Sequence, residues 1–467
     1  MKTITLLFLF VWTSLTIHGQ DITGQWNGIL KFQGMQLRVV FHITKTDNGY
    51  NSTMDSPDQG ANGIPVTTTS FADSVLKIEI SNLKVEYKGK LNNTENIVGD
   101  FNQAGLSFPM NLSRKISEKE KMIRPQEPVK PYPYYSEDVS FENKKDKLVL
   151  AGTLTLPQKD GNFPAVVLIT GSGPQNRDEE LFGHKPFLVL ADYLTRKGIA
   201  VLRFDDRGIA ASKGDFKTAT TADFAIDVES AINYLQSRKE INKKKIGLIG
   251  HSEGGVIAPM VAAKNKSVSF IVLLAGTGIP GEELLLLQQD LIGKASGMKD
   301  QDLQNIRKIN KGAFEIVARS VNTETLKDDL RAYLKQALKS IPDSEKTAAL
   351  SNNETIINAQ IDQLTSPWLQ YFLKYDPSTA LEKVKCPVLA VNGEKDLQVP
   401  PKINLEAIKS ALNKGGNQKV TLKEFPGLNH LFQECKTGLP AEYATIEQTF
   451  SPMALAEVTN WILKQAK

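Results

Sequence analysis

The rhythm of apolar and polar positions divides the chain into stretches of different character. Between residues 21 and about 115 the apolar positions come in short alternating runs: Leu37-Arg38-Val39-Val40-Phe41-His42-Ile43, Val75-Leu76-Lys77-Ile78-Glu79-Ile80 and Val85-Glu86-Tyr87-Lys88-Gly89-Lys90-Leu91. A period of two, rich in β-branched and aromatic residues and punctuated by Asp47-Asn48-Gly49 and Asn92-Asn93, predicts short strands. We expect a small all-β domain, an antiparallel barrel or meander, shaped to accept a ligand or partner and without a catalytic constellation. From residue 116 to 135 the pattern lapses. Ser117-Glu118-Lys119-Glu120-Lys121 gives way to Pro125, Pro128, Pro131 and Pro133, which predicts an extended, semi-stiff linker decorated by Tyr132, Tyr134 and Tyr135.

Over residues 136–467 the rhythm changes again. Continuous apolar runs occur at Pro164–Ile169, Ile199–Phe204, Ile246–Ile249, Phe270–Leu274, Val388–Val391 and Val420–Leu422. Such runs suit strands of a parallel sheet covered on both faces. Helical spacing lies between them: Phe224, Val228, Ala231, Ile232 and Leu235 share one face behind a cap at Thr221. The prediction is an α/β wound sheet. From about 281 to 380 the alternation stops, and helical, charge-rich sequence takes over. An insertion of that length belongs above the carboxyl ends of the strands, where ligands bind, and is expected to form a helical cap. Leu284-Leu285-Leu286-Leu287 near its start and Trp368, Leu369, Tyr371 and Phe372 near its end are mostly core candidates. One or two of them should line an acyl pocket, with Trp368 and Tyr371 put forward for substrate contact.

The first twenty residues follow a different logic. Lys2 precedes a mostly apolar run from Ile4 to Ile17, followed by Gly19. At about 14 residues the run is short of the roughly 20 that span a bilayer, and it reads as an export signal with cleavage near Gln20 or Asp21. No later stretch reaches about 18 uncharged apolar residues, so the expected mature protein is exported, periplasmic or secreted, with no stable membrane anchor.

Composition changes this picture little. With 467 residues, 41% hydrophobic and 23% charged, the chain can bury full cores without staples. A net charge of +4 is too weak a bias to point to nucleic acid. Cys386 and Cys435 are the only cysteines, which leaves one disulfide open and offers no paired-cysteine metal site. No His or Cys cluster suggests a metal, and Gly171-Ser172-Gly173 lacks the ending of a phosphate loop, so no cofactor is expected.

The chemistry concentrates in a few places. Gly250-His251-Ser252-Glu253-Gly254 matches G-x-S-x-G, with an apolar strand before it and a small-residue helix start after it. That context pushes the Ser252 hydroxyl out at the sheet edge. A serine hydroxyl needs a base, and the chain has five histidines. His18 falls in the export signal, His42 in the β domain and His184 just past the first loop of the sheet; His251 neighbours the nucleophile and should point away. His430 follows the last strand, and the order Ser…Asp…His selects it. Between the two, Asp396 closes Val391-Asn392-Gly393-Glu394-Lys395-Asp396 and would orient the imidazole, with Glu394 as its rival. The oxyanion of a tetrahedral intermediate needs two N–H donors; the backbone of Glu253 is one and that of Ser172 the other.

Gly171-Ser172-Gly173-Pro174-Gln175-Asn176-Arg177-Asp178-Glu179, Phe204-Asp205-Asp206-Arg207-Gly208, Gly250-His251-Ser252-Glu253-Gly254-Gly255 and Gly393-Glu394-Lys395-Asp396 resemble α/β-hydrolases of the EstD-type esterase group, which is related to serine aminopeptidase-like hydrolases. The resemblance covers roughly residues 140 to 465. It departs at Ala210-Ala211-Ser212, where relatives often carry glycine. It implies a carboxylesterase acting on small-molecule esters through Ser252, Asp396 and His430. A serine aminopeptidase shares every motif, so it stays open, with Glu282, Glu283 or Asp376 as candidates for binding a substrate amine. A non-catalytic ligand-binding protein is the third reading.

Overall fold

The structure, a computed structural model, describes residues 21–32, 35–59, 61–103, 106–116, 124–339 and 354–466. The expected export signal at residues 1–20 lies outside the described residues, as does the charged start of the linker. The chain divides into two compact units on either side of residue 121.

The first unit is built from β1 (Gly24–Phe32), β2 (Met35–Thr46), β3 (Gly49–Ser56), β4 (Ala61–Pro65), β5 (Thr68–Ala72), β6 (Val75–Ile80), β7 (Val85–Asn93), β8 (Asn96–Gln103), β9 (Leu106–Pro109) and β10 (Leu112–Ser113). Eight of these strands close an antiparallel ring in the order β1-β2-β3-β5-β6-β7-β8-β10, because β10 pairs with both β8 and β1. The alternation seen in the sequence places Leu76, Ile78, Ile80, Val85, Tyr87 and Leu91 inward. Trp26, Phe41 and Tyr87 fill the interior completely. The expected barrel forms, closed around a hydrophobic core.

The second unit carries an eight-stranded sheet in the order β11-β12-β14-β13-β15-β16-β17-β18. Its strands are β11 (Tyr135–Asn143), β12 (Leu148–Leu156), β13 (Phe163–Ile169), β14 (Ala200–Phe204), β15 (Ile241–His251), β16 (Val268–Leu274), β17 (Val388–Gly393) and β18 (Val420–Phe425). β11 and β12 are antiparallel additions ahead of the strands the sequence pattern predicted; β13 to β18 run parallel. Burial on both faces explains their unbroken apolar runs. Helices α1 (Pro186–Arg196), α2 (Thr221–Ser237) and α3 (Gly254–Ala262) alternate with the strands. The insertion between β16 and β17 holds α4 (Gly281–Ala295), α5 (Asp300–Arg319), α6 (Thr323–Lys339), α7 (Glu354–Leu364), α8 (Pro367–Lys374) and α9 (Ser378–Leu381). α10 (Pro401–Lys414) and α11 (Pro452–Gln465) complete the unit.

One face of the sheet packs Ala165, Val167 and Ile169 against α2, α3 and α10, while Val166 and Leu168 face α1 and α11 on the other. The α2 cap falls one residue before the predicted Thr221: the Thr220 N–H donates to Asp223 at 2.8 Å. The insertion has its own core, including Phe314, Val317, Leu330, Leu334 and Ile361.

Chain order then fixes where chemistry can occur. β13 leads to β14 on one side, while β15 lies on β13's other side. The loops after β13 and β15 diverge from this switch point and open a crevice at the carboxyl ends of the strands.

Candidate active site

The turn after β15 is forced by close approach. A Cβ on Gly250 would lie 1.9 Å from the Gly254 carbonyl oxygen, and one on Gly254 would lie 2.2 Å from that of Ile169. Between these glycines Ser252 sits at φ +54°, a left-handed conformation that costs a side-chain-bearing residue about 1–3 kcal/mol. Its N–H donates to the Leu274 carbonyl at 2.8 Å, which pins the turn to the sheet. The Ser252 side chain thereby lines the crevice.

His430 and Asp396 come from the loops after β18 and β17. His430 Nδ1 donates to Asp396 Oδ2 at 2.7 Å, with both side chains buried. Asp396 Oδ1 accepts the N–H groups of Gln398 and Val399, each at 2.8 Å, so the carboxylate is held on both oxygens. The bond at Nδ1 leaves Nε2 of His430 as the basic nitrogen. Glu394, the rival acid, is exposed and accepts the Gly427 N–H at 2.8 Å, which braces the His430 loop from outside. Ser252 and His430 line the same cavity of about 140 Å³, together with Gln175, Leu181, Phe182 and Tyr443.

The loop after β13 is clamped by carboxylates. Asp206 accepts Thr170 Oγ1 at 2.8 Å and the Gln175 N–H at 2.9 Å. Asp205 accepts Arg177 through its backbone N–H at 2.8 Å and its guanidinium at 3.0 and 2.7 Å. Burial raises the Asp205 carboxyl, but the Arg177 bonds outweigh it and hold the group below the usual range. Burial dominates at Asp206 and drives its carboxyl well above that range. Glu179 Oε1 takes the Gly171 N–H at 2.7 Å. Among the described residues, the N–H groups of Ser172 and Glu253 donate to no protein acceptor, and both residues line a second cavity with Ser252. Glu253 stands just before α3, where the helix dipole favours negative charge.

The side chain of Glu253 is fully buried. Thr221 Oγ1 donates to its Oε1 at 2.6 Å, and the Trp368 indole N–H donates to the same oxygen at 2.8 Å. Burial raises its carboxyl against those bonds.

His251 lines the cavity it shares with His430, its ring centroid 4.8 Å from that of His430, rather than pointing away from the site. Its Nδ1 donates to Glu179 Oε1 at 2.9 Å and its Nε2 to the His430 carbonyl at 3.0 Å. Two acceptors require two N–H donors, hence an imidazolium. Burial lowers its pKa, but Glu179 outweighs that and the net shift is upward. The pair ties together the loop after β13, the turn at Ser252 and the His430 loop. His184, by contrast, is a buried structural residue, bonded to Thr449 and the Tyr443 carbonyl; burial takes its pKa down to about 4.

Trp368 lines the second cavity at Ser252, stacked on Phe372 at 5.3 Å. Tyr371, put forward with it, lines neither cavity at Ser252. It stacks on Tyr375 at 5.7 Å and packs against the sheet's core, because its place three residues on from Trp368 turns it to the adjoining flank of α8, toward the sheet. Cys386 and Cys435 do not pair. Among the described residues no group of His, Cys, Asp and Glu is arranged to hold a metal ion.

Sequence reasoning passed over Asp205, Asp206, Arg177, Glu179 and the second role of His251. The acids stand in the sequence motifs, but apart from Gly171 beside Glu179 the partners named above are 28 to 72 residues away in sequence. A run of polar residues immediately after an apolar strand was the signal available.

A family model for the α/β-hydrolase fold matches residues 164–437. Esterase EstD of Thermotoga maritima is 27% identical over 336 residues, 71% of this chain and 70% of that protein. An uncharacterized 31.7 kDa protein from Escherichia coli is 24% identical over 318 residues, 68% of this chain and 96% of that one. Among solved structures, the Pyrococcus furiosus esterase Pf2001 is 16% identical, covers 75% of this chain and 100% of its own, and superposes with a TM-score of 0.43.

Proposed function

The chain belongs to the α/β-hydrolase family, and from that premise we propose that it hydrolyses carboxylic esters through an acyl-enzyme on Ser252. The observation that carries this reading is the buried His430–Asp396 pair, which shares a cavity with a serine held in a strained turn.

Ser252 Oγ attacks the ester carbonyl carbon while its proton passes to His430 Nε2. The carbonyl π pair moves to oxygen, and the N–H groups of Glu253 and Ser172 receive the oxyanion. Collapse breaks the bond to the leaving alkoxide, which takes the proton from His430 and departs as the alcohol. Water then adds to the acyl carbon, giving its proton to His430, and the second collapse returns that proton to Ser252 Oγ as the acid leaves. Asp396 holds the imidazole tautomer and stabilises the imidazolium throughout. The carboxylate clamps on the loop after β13 keep the Ser172 donor in place before substrate arrives, so no reorganisation is needed during the reaction.

An ester rather than an amino-terminal amide is favoured by the acids present. The carboxyls lining the cavities at Ser252 are Glu179, committed to His251, and Glu253, committed to Thr221 and Trp368. Neither is free to receive a substrate ammonium, and Glu282, Glu283 and Asp376 do not line those cavities. Comparing p-nitrophenyl acetate with an amino-acyl p-nitroanilide tests the choice. Turnover of the ester alone, abolished in Ser252→Ala, supports it; preference for the anilide overturns it. We further propose export of the mature enzyme from the basic and apolar pattern of residues 2–17. N-terminal sequencing of the protein recovered outside the cytoplasm checks this reading, with a start at Gln20 or Asp21 expected.

A further inference from the structure

Ser252 stands between cavities of unequal character. The one it shares with His430 must take the leaving group, since His430 has to reach the departing oxygen. The acyl group then points the other way, into the cavity bounded by Leu284, Leu285, Trp368, Phe372 and Val399. That cavity holds about 60 Å³, room for only a few carbons. Behind it, inside the helical insertion, lies a chamber of about 290 Å³, roughly twice the ~150 Å³ that accommodates benzene. Leu285 and Trp368 line both spaces and so form the partition between them. Trp368 is held in place by its bond to Glu253 and its stack on Phe372. The Leu285 side chain makes no hydrogen bond and is held by apolar packing alone, so it is the side of the partition that a smaller side chain would open.

The chamber wall differs from the acyl pocket in kind. Phe314, Leu334, Leu364 and Leu369 give it an apolar wall, the amide-bearing residues Gln289, Asn310, Gln360 and Gln363 also line it, and among the described residues no charged one does. Asn310 donates to the Gln289 carbonyl oxygen, while Gln289 Nε2 is buried with no partner among the described residues. A buried unpaired amide donor is costly, and turning the Gln289 side chain into the chamber would offer it to a ligand oxygen. A charged ligand end would lose its hydration without a counter-charge.

We propose that this chamber is a distal acyl subsite, reached past Leu285, for the uncharged, oxygen-bearing far end of a medium-length acyl group. The inference rests on the esterase reading for its orientation, and the substrate class it names is an ω-hydroxy or otherwise oxygenated acyl ester.

The test compares p-nitrophenyl acetate, octanoate and 8-hydroxyoctanoate on the full-length protein. Gln363 is exposed at the chamber's rim, so Gln363→Trp fills the chamber with little risk to folding. It should leave acetate turnover unchanged and lower kcat/KM for 8-hydroxyoctanoate about tenfold or more. Leu285→Ala should raise both long esters relative to acetate, and Gln289→Leu should erase the preference for the hydroxylated one. An acetate-to-long-ester ratio that no variant moves overturns the proposal. Calorimetric binding of 8-hydroxyoctanamide separates it from the esterase reading. Binding lost in Gln363→Trp supports the chamber even if no ester turns over, and absent binding beside normal acetate turnover refutes the chamber alone.

Discussion

The two units bury different things. In the barrel the ion pairs lie at the surface: Arg38–Asp58 has side chains 45% and 13% exposed, and Lys77–Glu79 42% and 38%. Its interior is Trp26, Phe41, Tyr87, Phe101, Met54, Met110 and aliphatic residues. In the α/β unit, His430–Asp396, His251–Glu179 and Arg207–Asp227 are each under a tenth exposed, and all stand at the carboxyl end of the sheet. Buried charge pairs contribute little net stability, because desolvation offsets their attraction. What they do supply is fixed geometry. The contrast separates a unit whose sequence is explained by packing from one whose sequence is explained by placing a few polar atoms.

The largest effect that would sharpen this contrast is at the orienting acid. Asp396→Asn should keep the fold and lower kcat by roughly 10³- to 10⁴-fold, since the wrong imidazole tautomer then faces Ser252. Glu394→Gln should be far milder, because Glu394 only braces the loop. Kinetics on both variants would reverse the assignment if the order came out inverted.

Next in size is a core deletion in the barrel. Trp26 is completely buried, donates to the Ile22 carbonyl at 2.8 Å and carries Arg114 over its ring. Trp26→Ala should destabilise the barrel's own thermal transition by about 3–5 kcal/mol while kcat for acetate stays within twofold. Calorimetry with parallel kinetics checks both halves, and a matching fall in kcat would break the comparison.

Smaller effects come from the second histidine pair. His251 titrates above its ordinary 6.5 in the folded state, so the pair's stabilisation is fully present below about pH 6.5 and fades as pH rises through the higher folded value. Glu179→Gln should therefore lose about 1–3 kcal/mol below pH 6.5 and less in alkali. Melting temperatures of both proteins across pH measure this, and a deficit that grows with pH would contradict the assigned imidazolium. The smallest change is expected at Glu253→Gln. The amide oxygen keeps both acceptor bonds of the carboxyl it replaces, so kcat should move only a few-fold.

The turn at Ser252 and the pairing of His430 with Asp396 were legible in the sequence, because chain order and the strand–turn–helix around Ser252 point to them without any distant partner. The parallel strands were equally legible, since burial on both faces leaves unbroken apolar runs. β11 was not, because Glu137 interrupts the inward row of Tyr135, Val139 and Phe141, and outward Asp138 and Glu142 dilute the pattern next to prolines. Closure of the barrel rests on the two residues of β10, too short for any periodicity to register. The clamps at Asp205, Asp206 and Glu179 depend on β13 lying between β14 and β15, a property of topology rather than of local spacing. Tyr371 was misplaced for a related reason: its neighbour Trp368 faces the crevice, and only the packing of α8 decides which turn does.

The central claim is that Ser252 is the nucleophile and that His430 and Asp396 activate it. A fluorophosphonate probe followed by peptide mapping tests this most directly. The account predicts a single adduct on Ser252, formed rapidly in the wild type, slowed at least a thousandfold in His430→Ala and absent in Ser252→Ala. An adduct on another residue, or labelling of Ser252 at an unchanged rate without His430, would contradict it.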